Sequence, residues 1–320
     1  MNLKSYGRLA AAALLLSAHA SWAQTWPSRP IHVVVPFAVG TGVDLAVRAL
    51  AGPLNARLGT PIVVENRPGA STAIGNAYVA KAKPDGYTVL ATAGSIISNA
   101  AVSQQDDPTK PFEPVVLLTE AKNCFVVNAK SPARSVKDIE KMAMAQPGKL
   151  FYSSGGTGVV HHLAMALFQS ETGTNIVHVP HKGATEALQS VIAGRTEMMI
   201  LPITTANSYV KNGQVRMLAT VSKTRSRLYP DVPAMPEEGY PGVTYDSYYL
   251  VLAPAGTPGS IVDRLNREFN AALVELNDNK TLDKLGLEIA GGTSRELGSL
   301  LKQELVRMRK LVADAKIKPE

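Results

Sequence analysis

The sequence predicts an α/β protein with two domains, each built on a mostly parallel sheet flanked by helices. Apolar strand-like runs alternate with helical patterns along the chain, which is typical of layered α/β folds. The tetrapeptide Gly-Thr-Gly-Val occurs at residues 40–43 and 156–159, each time between a strand-like and a helix-like run. This repetition indicates two domains of similar architecture, and an apolar content of 45% can supply their cores.

The predicted elements follow one another along the whole chain. Strands are predicted at 31–35, 61–65, 88–91, 115–119, 125–128, 150–152, 176–179, 197–201, 215–221 and 245–253. Helices are predicted at 45–58, 73–81, 136–145, 162–171, 184–193, 203–212 and 261–276. Most of these helices end at a glycine, as at Gly59 and Gly194, because glycine readily adopts the conformation that ends a helix.

Prolines and glycines between residues 221 and 245 interrupt every candidate element, which indicates a crossing between the domains. The strand and the two C-terminal helices that follow would return to the first domain. We therefore expect domain 1 to cover 24–123 and 243–320, and domain 2 to cover 124–242.

Residues 1–23 have the pattern of a cleavable export signal. Lys4 and Arg8 precede an apolar run over 9–16 that is too short to span a bilayer, and Ser21-Trp22-Ala23 offers a cleavage site. Loss of this segment lowers the formal net charge from +7 to +5. The basic residues form no run interleaved with aromatics, so nucleic acid is not an expected partner.

Other residue patterns argue against cofactors and metals. Leu45 stands where a dinucleotide-binding fingerprint needs its third glycine. The histidines at 161, 162, 178 and 181 have no carboxylate or thiol at ligand spacing, so no metal site is predicted. The single cysteine, Cys124, is expected to be a buried apolar residue.

Each Gly-Thr-Gly-Val copy is expected to form a loop at a helix N-terminus. Glycine lets backbone N–H groups approach a guest, and the first N–H groups of a helix lack intrahelical partners. Two such loops could hold one anion from opposite sides. Asp44, directly after the first loop, either favours the helix dipole or contacts a polar ligand group, and the sequence leaves both interpretations open.

Several longer sequence motifs follow one another along the mature chain. They are Pro36-Phe37, Glu65-Asn66-Arg67-Pro68-Gly69-Ala70, Pro84-Asp85-Gly86-Tyr87-Thr88, Pro147-Gly148-Lys149-Leu150, His178-Val179-Pro180 with Lys182-Gly183, Asp231-Val232-Pro233 and Ala253-Pro254-Ala255-Gly256-Thr257-Pro258. In these motifs the chain resembles the Bug or TctC-like solute-binding proteins of tripartite tricarboxylate transporters. The resemblance implies a two-domain periplasmic binding protein, type II-like, with a ligand cleft between the domains.

The resemblance also implies that a ligand carboxylate is held by two loops, largely through backbone N–H groups and ordered water, and that binding closes the cleft. The implied ligand-binding residues, none of them catalytic, are Phe37, Gly40, Thr41, Gly42, Val43, Asp44, Ser71, Ser95, Ser153, Ser154, Gly156, Thr157, Gly158, Val159, His162, His181 and Leu201.

Departures from the family pattern bear on the ligand. Val43 and Val159 stand where relatives usually have hydroxyl residues, Leu201 where they often have aspartate, and His181 where tyrosine is common. We therefore expect a drier pocket and a less polar carboxylate, for example an aromatic one, rather than an amino acid or a tricarboxylate.

The sequence thus predicts a non-catalytic, monomeric periplasmic protein that captures a small organic carboxylate and delivers it to membrane transporter components, without a cofactor or metal. Two alternatives stay open at this point. One is an exported hydrolase or isomerase that uses Ser154, His162 and Asp44 in the same cleft. The other is a ligand-sensing partner of a signalling system.

Overall fold

The computed structural model describes residues 26–314, which form two β-sheets with helices packed against each. The predicted export signal, residues 1–23, lies outside the described residues. No helix within residues 26–314 has both the length and the apolar character needed to cross a membrane.

Strands and helices alternate along most of the chain, as the sequence predicts. The strands are β1 (Ile31–Val35), β2 (Ile62–Asn66), β3 (Thr88–Ala93), β4 (Phe112–Ala121), β5 (Asn123–Asn128), β6 (Phe151–Ser154), β7 (Val177–Pro180), β8 (Met198–Pro202), β9 (Val215–Thr220), β10 (Ser247–Pro254) and β11 (Glu288–Gly291). The helices are α1 (Gly42–Leu58), α2 (Ala73–Ala80), α3 (Ser95–Val102), α4 (Val136–Ala145), α5 (Val160–Thr172), α6 (Ala184–Ile192), α7 (Ile203–Lys211), α8 (Gly259–Asp278), α9 (Thr281–Leu285) and α10 (Ser294–Asp314).

The first sheet has six strands in the order β11-β4-β10-β3-β1-β2, and the second has five in the order β7-β6-β8-β5-β9. In the first sheet β1 is parallel to β2 and β3, while β10 is antiparallel to β3 and β4, and β11 to β4. In the second, β6 is parallel to β7 and β8, while β5 is antiparallel to β8 and β9. The predicted α/β class with two sheets is confirmed.

The sheets are mixed, however, rather than mostly parallel. β5 and β10 each enter a sheet directly from a crossing, at Asn123 and Ser247. Asn123 lies opposite Pro202, the last residue of β8, and Tyr249 lies opposite Ala93, the last residue of β3. A strand that begins at the edge where the parallel strands end must run antiparallel to them.

Hydrogen bonds join the two crossings between the sheets. The Val221 N–H donates to the Asn123 carbonyl oxygen at 2.8 Å, and the Tyr245 N–H donates to the Val221 carbonyl oxygen at 2.9 Å. The Asn123 side-chain amide donates to the Tyr245 carbonyl oxygen at 2.5 Å and to the Ser247 hydroxyl at 3.2 Å. Asn123 is fully buried, so this amide holds the outgoing and returning segments side by side.

One apolar core extends across both sheets. It contains Leu90 and Leu250 from the first sheet and Phe125 from the second. Phe168 on α5 packs edge-to-face against Phe125, with ring centroids 5.4 Å apart, and also against Tyr240 at 5.7 Å. Separate cores cover the other sides of the two sheets.

Three of the elements given above, α3, α9 and β11, were absent from the sequence prediction. In α3 six of eight residues are buried, so it lacks the alternation of polar and apolar faces that marks a surface helix. β11 has only four residues and pairs only with β4. The prediction that Cys124 is a buried apolar residue is confirmed, since it is fully buried in the core of the second sheet.

We expect Phe125→Ala to lower the free energy of unfolding by about 3–5 kcal/mol, because it leaves a cavity in the shared core. The matched control is Val306→Ala on α10, whose side chain is 71% exposed, and which should change this free energy by less than about 0.5 kcal/mol. Urea unfolding followed by circular dichroism measures both. Equal effects would contradict the shared core.

Candidate functional site

Loops from both sheets meet at one cavity of about 220 Å³, called the central cavity below. Its wall includes residues that follow strand ends, as ligand sites in α/β sheets commonly do. They are Phe37 after β1, Gly94 and Ser95 after β3, Val159, Val160 and His161 after β6, and Pro202 at the end of β8. The rest of the wall comprises Ala93, Tyr245, Asp246, Ser247, Tyr248, Tyr249, Glu304 and Met308.

Three helices begin at the wall of the central cavity without a side-chain cap. Their N-cap residues are Gly94 for α3, Val159 for α5 and Pro202 for α7. The N–H of Ile203 in α7 donates to the Lys122 carbonyl oxygen. Uncapped helix N-termini carry partial positive charge, and their convergence suits a negatively charged guest.

A larger groove of about 610 Å³ lies between α2, α3 and the second glycine loop. Ser71, Thr157 and Gly158 line it, together with Asn76 and Lys81. A Cβ on Gly158 would lie 3.0 Å from Val102 on α3, and the φ of Gly158 is 77°. Glycine therefore lets the loop of the second sheet pack directly on a helix of the first.

The first glycine loop is fixed by Asp44, which is fully buried. The carboxylate accepts hydrogen bonds from the Gly40 N–H at 2.8 Å, from Arg48 Nε at 3.0 Å and from Asn66 Nδ2 at 2.9 Å. Asn66 Nδ2 also donates to the Phe37 carbonyl oxygen at 3.1 Å. Burial raises the pKa of Asp44, but the bonds from Arg48, Gly40 and Asn66 lower it below its ordinary 3.8. The geometry thus assigns Asp44 to its own loop.

Two histidines hold the second glycine loop. The Gly155 N–H donates to His161 Nδ1 at 3.3 Å, and the Gly158 N–H donates to His162 Nδ1 at 3.0 Å. Both acceptor nitrogens must be unprotonated, because a protonated Nδ1 cannot accept. Burial lowers the pKa of His161 to about 4, which keeps its ring neutral near pH 7.

A stack of three aromatic rings supports the second glycine loop. His178 stacks on Tyr152, with centroids 4.9 Å apart, and on His162, at 4.1 Å. His178 Nε2 also lies 2.6 Å from the Ser154 hydroxyl, which donates to the Gly156 carbonyl oxygen at 2.8 Å. The buried Ser154 side chain is therefore part of the loop's own hydrogen bonding.

The structure distributes the seventeen residues named from sequence over several places. Phe37, Ser95 and Val159 line the central cavity, and Ser71, Thr157 and Gly158 line the larger groove. The backbone or side chains of Gly40, Asp44, Ser154, Gly156 and His162 take part in the loop hydrogen bonds described above. Thr41 is the N-cap residue of α1, and Gly42 packs so closely on Tyr249 that a Cβ would clash with its ring.

The remaining named residues point elsewhere or lie beside the second loop. Val43 is 2% exposed in the core of the first sheet, and Leu201 is fully buried in the core of the second. The Ser153 hydroxyl donates to the Ala187 carbonyl oxygen at 2.9 Å. The His181 N–H donates to the Ser154 carbonyl oxygen at 2.9 Å. Of the two valines expected to dry the pocket, Val159 alone lines the central cavity.

Sequence reasoning missed the tyrosine side of the site. Tyr245, Tyr248 and Tyr249 come from β10 and the segment before it, more than 80 residues from the second glycine loop. No local signal marked them, because the glycines that they contact are distant in sequence: a Cβ on Gly94 would lie 2.6 Å from the Tyr248 ring, and one on Gly42 would clash with Tyr249. His161 was likewise passed over in favour of His162.

The contacts of Ser154 and Asp44 concern the alternative in which Ser154, His162 and Asp44 carry out catalysis. Ser154 pairs with His178, and Asp44 lies in the loop of the other sheet with its carboxylate bound by its own neighbours. Within residues 26–314, no three His, Cys, Asp or Glu residues are grouped so that they could hold a metal ion.

Comparisons with known proteins show which family and which solved structures this chain is similar to. The family described as "Tripartite tricarboxylate transporter family receptor" (TctC) matches residues 46–317. A UPF0065 protein from the tcbD-tcbE intergenic region of Pseudomonas sp. strain P51 is 36% identical, over 99% of this chain and 97% of the relative. A solved structure described as a periplasmic transporter is 34% identical with a TM-score of 0.82, over 92% of this chain and 99% of that one. A protein of R. palustris, solved with adipate, is 32% identical with a TM-score of 0.83, over 92% and 100%.

We expect Asp44→Asn to lower the free energy of unfolding at pH 7 by about 1–3 kcal/mol, since an amide cannot accept from all three donors. The folded-state pKa is lowered, so the contribution of the carboxylate is present above pH 3.8 and is lost as the pH falls through the lowered pKa. Urea unfolding at pH 7 and at pH 3 measures the difference. The control is Asp85→Asn, an acid in a surface ion pair with Arg29; equal losses in the two variants would contradict the loop-fixing role.

We expect His161→Gln to reduce the pH dependence of stability. The folded-state pKa is lowered from 6.5 to about 4, so between these values the unfolded chain binds a proton that the folded protein excludes. The free energy of unfolding of the wild type should therefore fall as the pH falls from 6.5 towards 4. Unfolding curves at pH 7 and pH 4.5 test this, and identical losses in wild type and variant would contradict it.

Proposed function

Because the chain belongs to the tripartite tricarboxylate transporter receptor family, we propose that it is a periplasmic protein that captures a small organic carboxylate in the central cavity. We further propose that it delivers this ligand to the components of its membrane transporter. The family and the similar solved structures are solute-binding receptors rather than enzymes. The proposed location rests on the export pattern of residues 1–23 and on the similar periplasmic transporter.

The observation that carries the carboxylate proposal is the convergence of three uncapped helix N-termini on one small cavity. Backbone N–H groups can bind a carboxylate there without a paired cation. The similar R. palustris protein was solved with adipate, which is a carboxylate. The hydrogen bonds that Asp44, His161 and His162 make with glycine N–H groups fix both loops before a ligand arrives.

The wall of the central cavity supports a ligand with an apolar or aromatic body. Phe37, Val159, Pro202, Met308 and the three tyrosines contribute mostly apolar surface. Small-molecule sites of this kind use apolar walls for affinity and a few polar groups for orientation. The expectation of a less polar ligand is thus supported by Val159 and by the tyrosines, while Val43 and Leu201 lie in the cores.

We also propose that residues 24–123 with 243–320 move as one domain and 124–242 as the other. The strands of the two sheets fall in these ranges, except that β5 begins at Asn123. The second glycine loop of one proposed domain already packs on α3 of the other, since a Cβ on Gly158 would lie 3.0 Å from Val102, so opening of the cleft would separate these two elements. Hinge closure around a ligand is the usual motion of two-domain binding proteins.

We expect Ser95→Asp to weaken carboxylate binding at least tenfold, because it places a negative charge at the wall of the central cavity. The variant should still fold, since an acid in the first turn favours a helix. Ser294→Asp is the matched control: it makes the same change at the first residue of α10, and Ser294 does not line the central cavity. It should bind like the wild type.

Isothermal titration with a panel of mono- and dicarboxylates measures these affinities, and thermal unfolding confirms that each variant is folded. If the folded wild type binds no carboxylate of the panel, the carboxylate proposal is wrong. Incubation with stoichiometric ligand should return the ligand unchanged, whereas a product would favour the hydrolase or isomerase alternative.

A further inference from the structure

The central cavity combines sites for an anion with an unusual lack of cations. Among residues 26–314, no lysine or arginine lines it, while Asp246 and Glu304 do. His161 is neutral near pH 7, because burial lowers its pKa to about 4. Burial also raises the pKa values of Tyr245 and Tyr249 to about 12. The wall therefore offers helix N-termini, neutral side chains and two acids.

The two acids differ in their hydrogen bonding. Both carboxylate oxygens of Glu304 accept from the Arg307 guanidinium, each at 3.0 Å. In Asp246, Oδ2 accepts from the Ser222 hydroxyl at 3.0 Å. Asp246 Oδ1 is shielded from solvent and has no hydrogen-bond partner within residues 26–314. Asp246 therefore keeps one acceptor oxygen without a partner at the wall of the central cavity, as does the buried Ser95 hydroxyl.

Asp246 is also tied to the crossing between the sheets. Ser222, which donates to it, accepts a hydrogen bond from Lys122 Nζ at 3.1 Å. Lys122 is 8% exposed and also donates to the Thr224 hydroxyl at 2.9 Å. Asp246 also lines a second cavity of about 500 Å³, together with Glu120, Lys122, Glu304 and Arg307. This network fixes one carboxylate oxygen and leaves the other without a partner.

We propose, on the basis of the function given above, that Asp246 is a specificity-determining residue and that the ligand has one carboxylate and one neutral hydrogen-bond donor such as a hydroxyl group. The carboxylate occupies the helix N-termini, and the hydroxyl donates to Asp246 Oδ1. A second carboxylate in place of the hydroxyl would face Asp246 without a cation at the cavity wall. Repulsion and lost hydration then oppose its binding.

This selectivity differs from that suggested by the similar R. palustris protein, whose solved ligand, adipate, is a dicarboxylate. The difference provides the test. Two matched series vary only the far group of the ligand: hexanoate, its ω-hydroxy derivative and adipate, and benzoate, para-hydroxybenzoate and terephthalate. Isothermal titration of the full mature chain at pH 7 gives the affinity for each of the six.

In at least one series the hydroxylated compound should bind roughly tenfold or more tightly than both of its partners, as expected for one hydrogen bond to a charged acceptor. Asp246→Asn removes the charge and should raise the affinity for the dicarboxylate about tenfold. Asp246→Ala removes the acceptor and should abolish the advantage of the hydroxyl group. Thermal unfolding identifies any variant that fails to fold.

Glu120→Gln is the matched control. It removes a negative charge that shares the second cavity with Asp246, but Glu120 does not line the central cavity, so the ligand order should stay as in the wild type. A dicarboxylate that binds best to the wild type, or an order that neither Asp246 variant changes, would overturn the role of Asp246 and leave the carboxylate function intact. Silence across all six ligands would overturn the carboxylate function itself, and this inference with it.

Discussion

The buried amide of Asn123 is the contact on which the geometry of the site depends. It bonds the segment that leaves the first sheet to the segment that returns from the second, through the Tyr245 carbonyl oxygen and the Ser247 hydroxyl. Because both crossings lie together, the carboxyl ends of β1 and β3 in one sheet face those of β6 and β8 in the other. Loops that are far apart in sequence then border one cavity. A cavity between the two sheets is the direct consequence of where the chain crosses.

The polar side chains near the glycine loops hold the loops in place more than they provide contacts for a ligand. Asp44 binds the Gly40 N–H, and the two adjacent histidines accept from Gly155 and Gly158. Loops fixed in advance lose less conformational entropy when a ligand binds, which increases the affinity that a few backbone N–H groups can provide. The Asp44 carboxylate and the two Nδ1 atoms are then unavailable to a ligand. Specificity must come from the other groups of the cavity wall, among them the tyrosines and Asp246.

The difference between residues that fix the loops and residues that line the cavity explains what the sequence could and could not predict. Apolar runs and glycine stops place most strands and helices within a few residues. Of the two loops that the repeated tetrapeptide marks, the second lines the central cavity at Val159, whereas residues 40–43 are absent from its wall. The direction of a side chain is a tertiary property: Val43 and Val159 occupy the same place in the repeat, yet one packs in a core and the other lines the central cavity. The tyrosines of β10 could not be assigned to the site, because their neighbours Gly42 and Gly94 lie more than 150 residues away in sequence.

The electrostatics of the cavity suggest how a receptor can be both selective and able to release its ligand. A carboxylate bound by helix N-termini avoids a buried ion pair, whose partner would be left charged and desolvated whenever the ligand departs. When the cleft is empty, the backbone N–H groups at the helix N-termini can donate their hydrogen bonds to water instead. Attraction of this kind discriminates poorly among carboxylates, since every one of them presents the same group. An acid at the wall supplies the missing discrimination by repulsion, because it penalises a second negative charge and accepts a neutral donor. Asp246, linked through Ser222 to Lys122 at the crossing, places that discrimination at the point where the two sheets are joined.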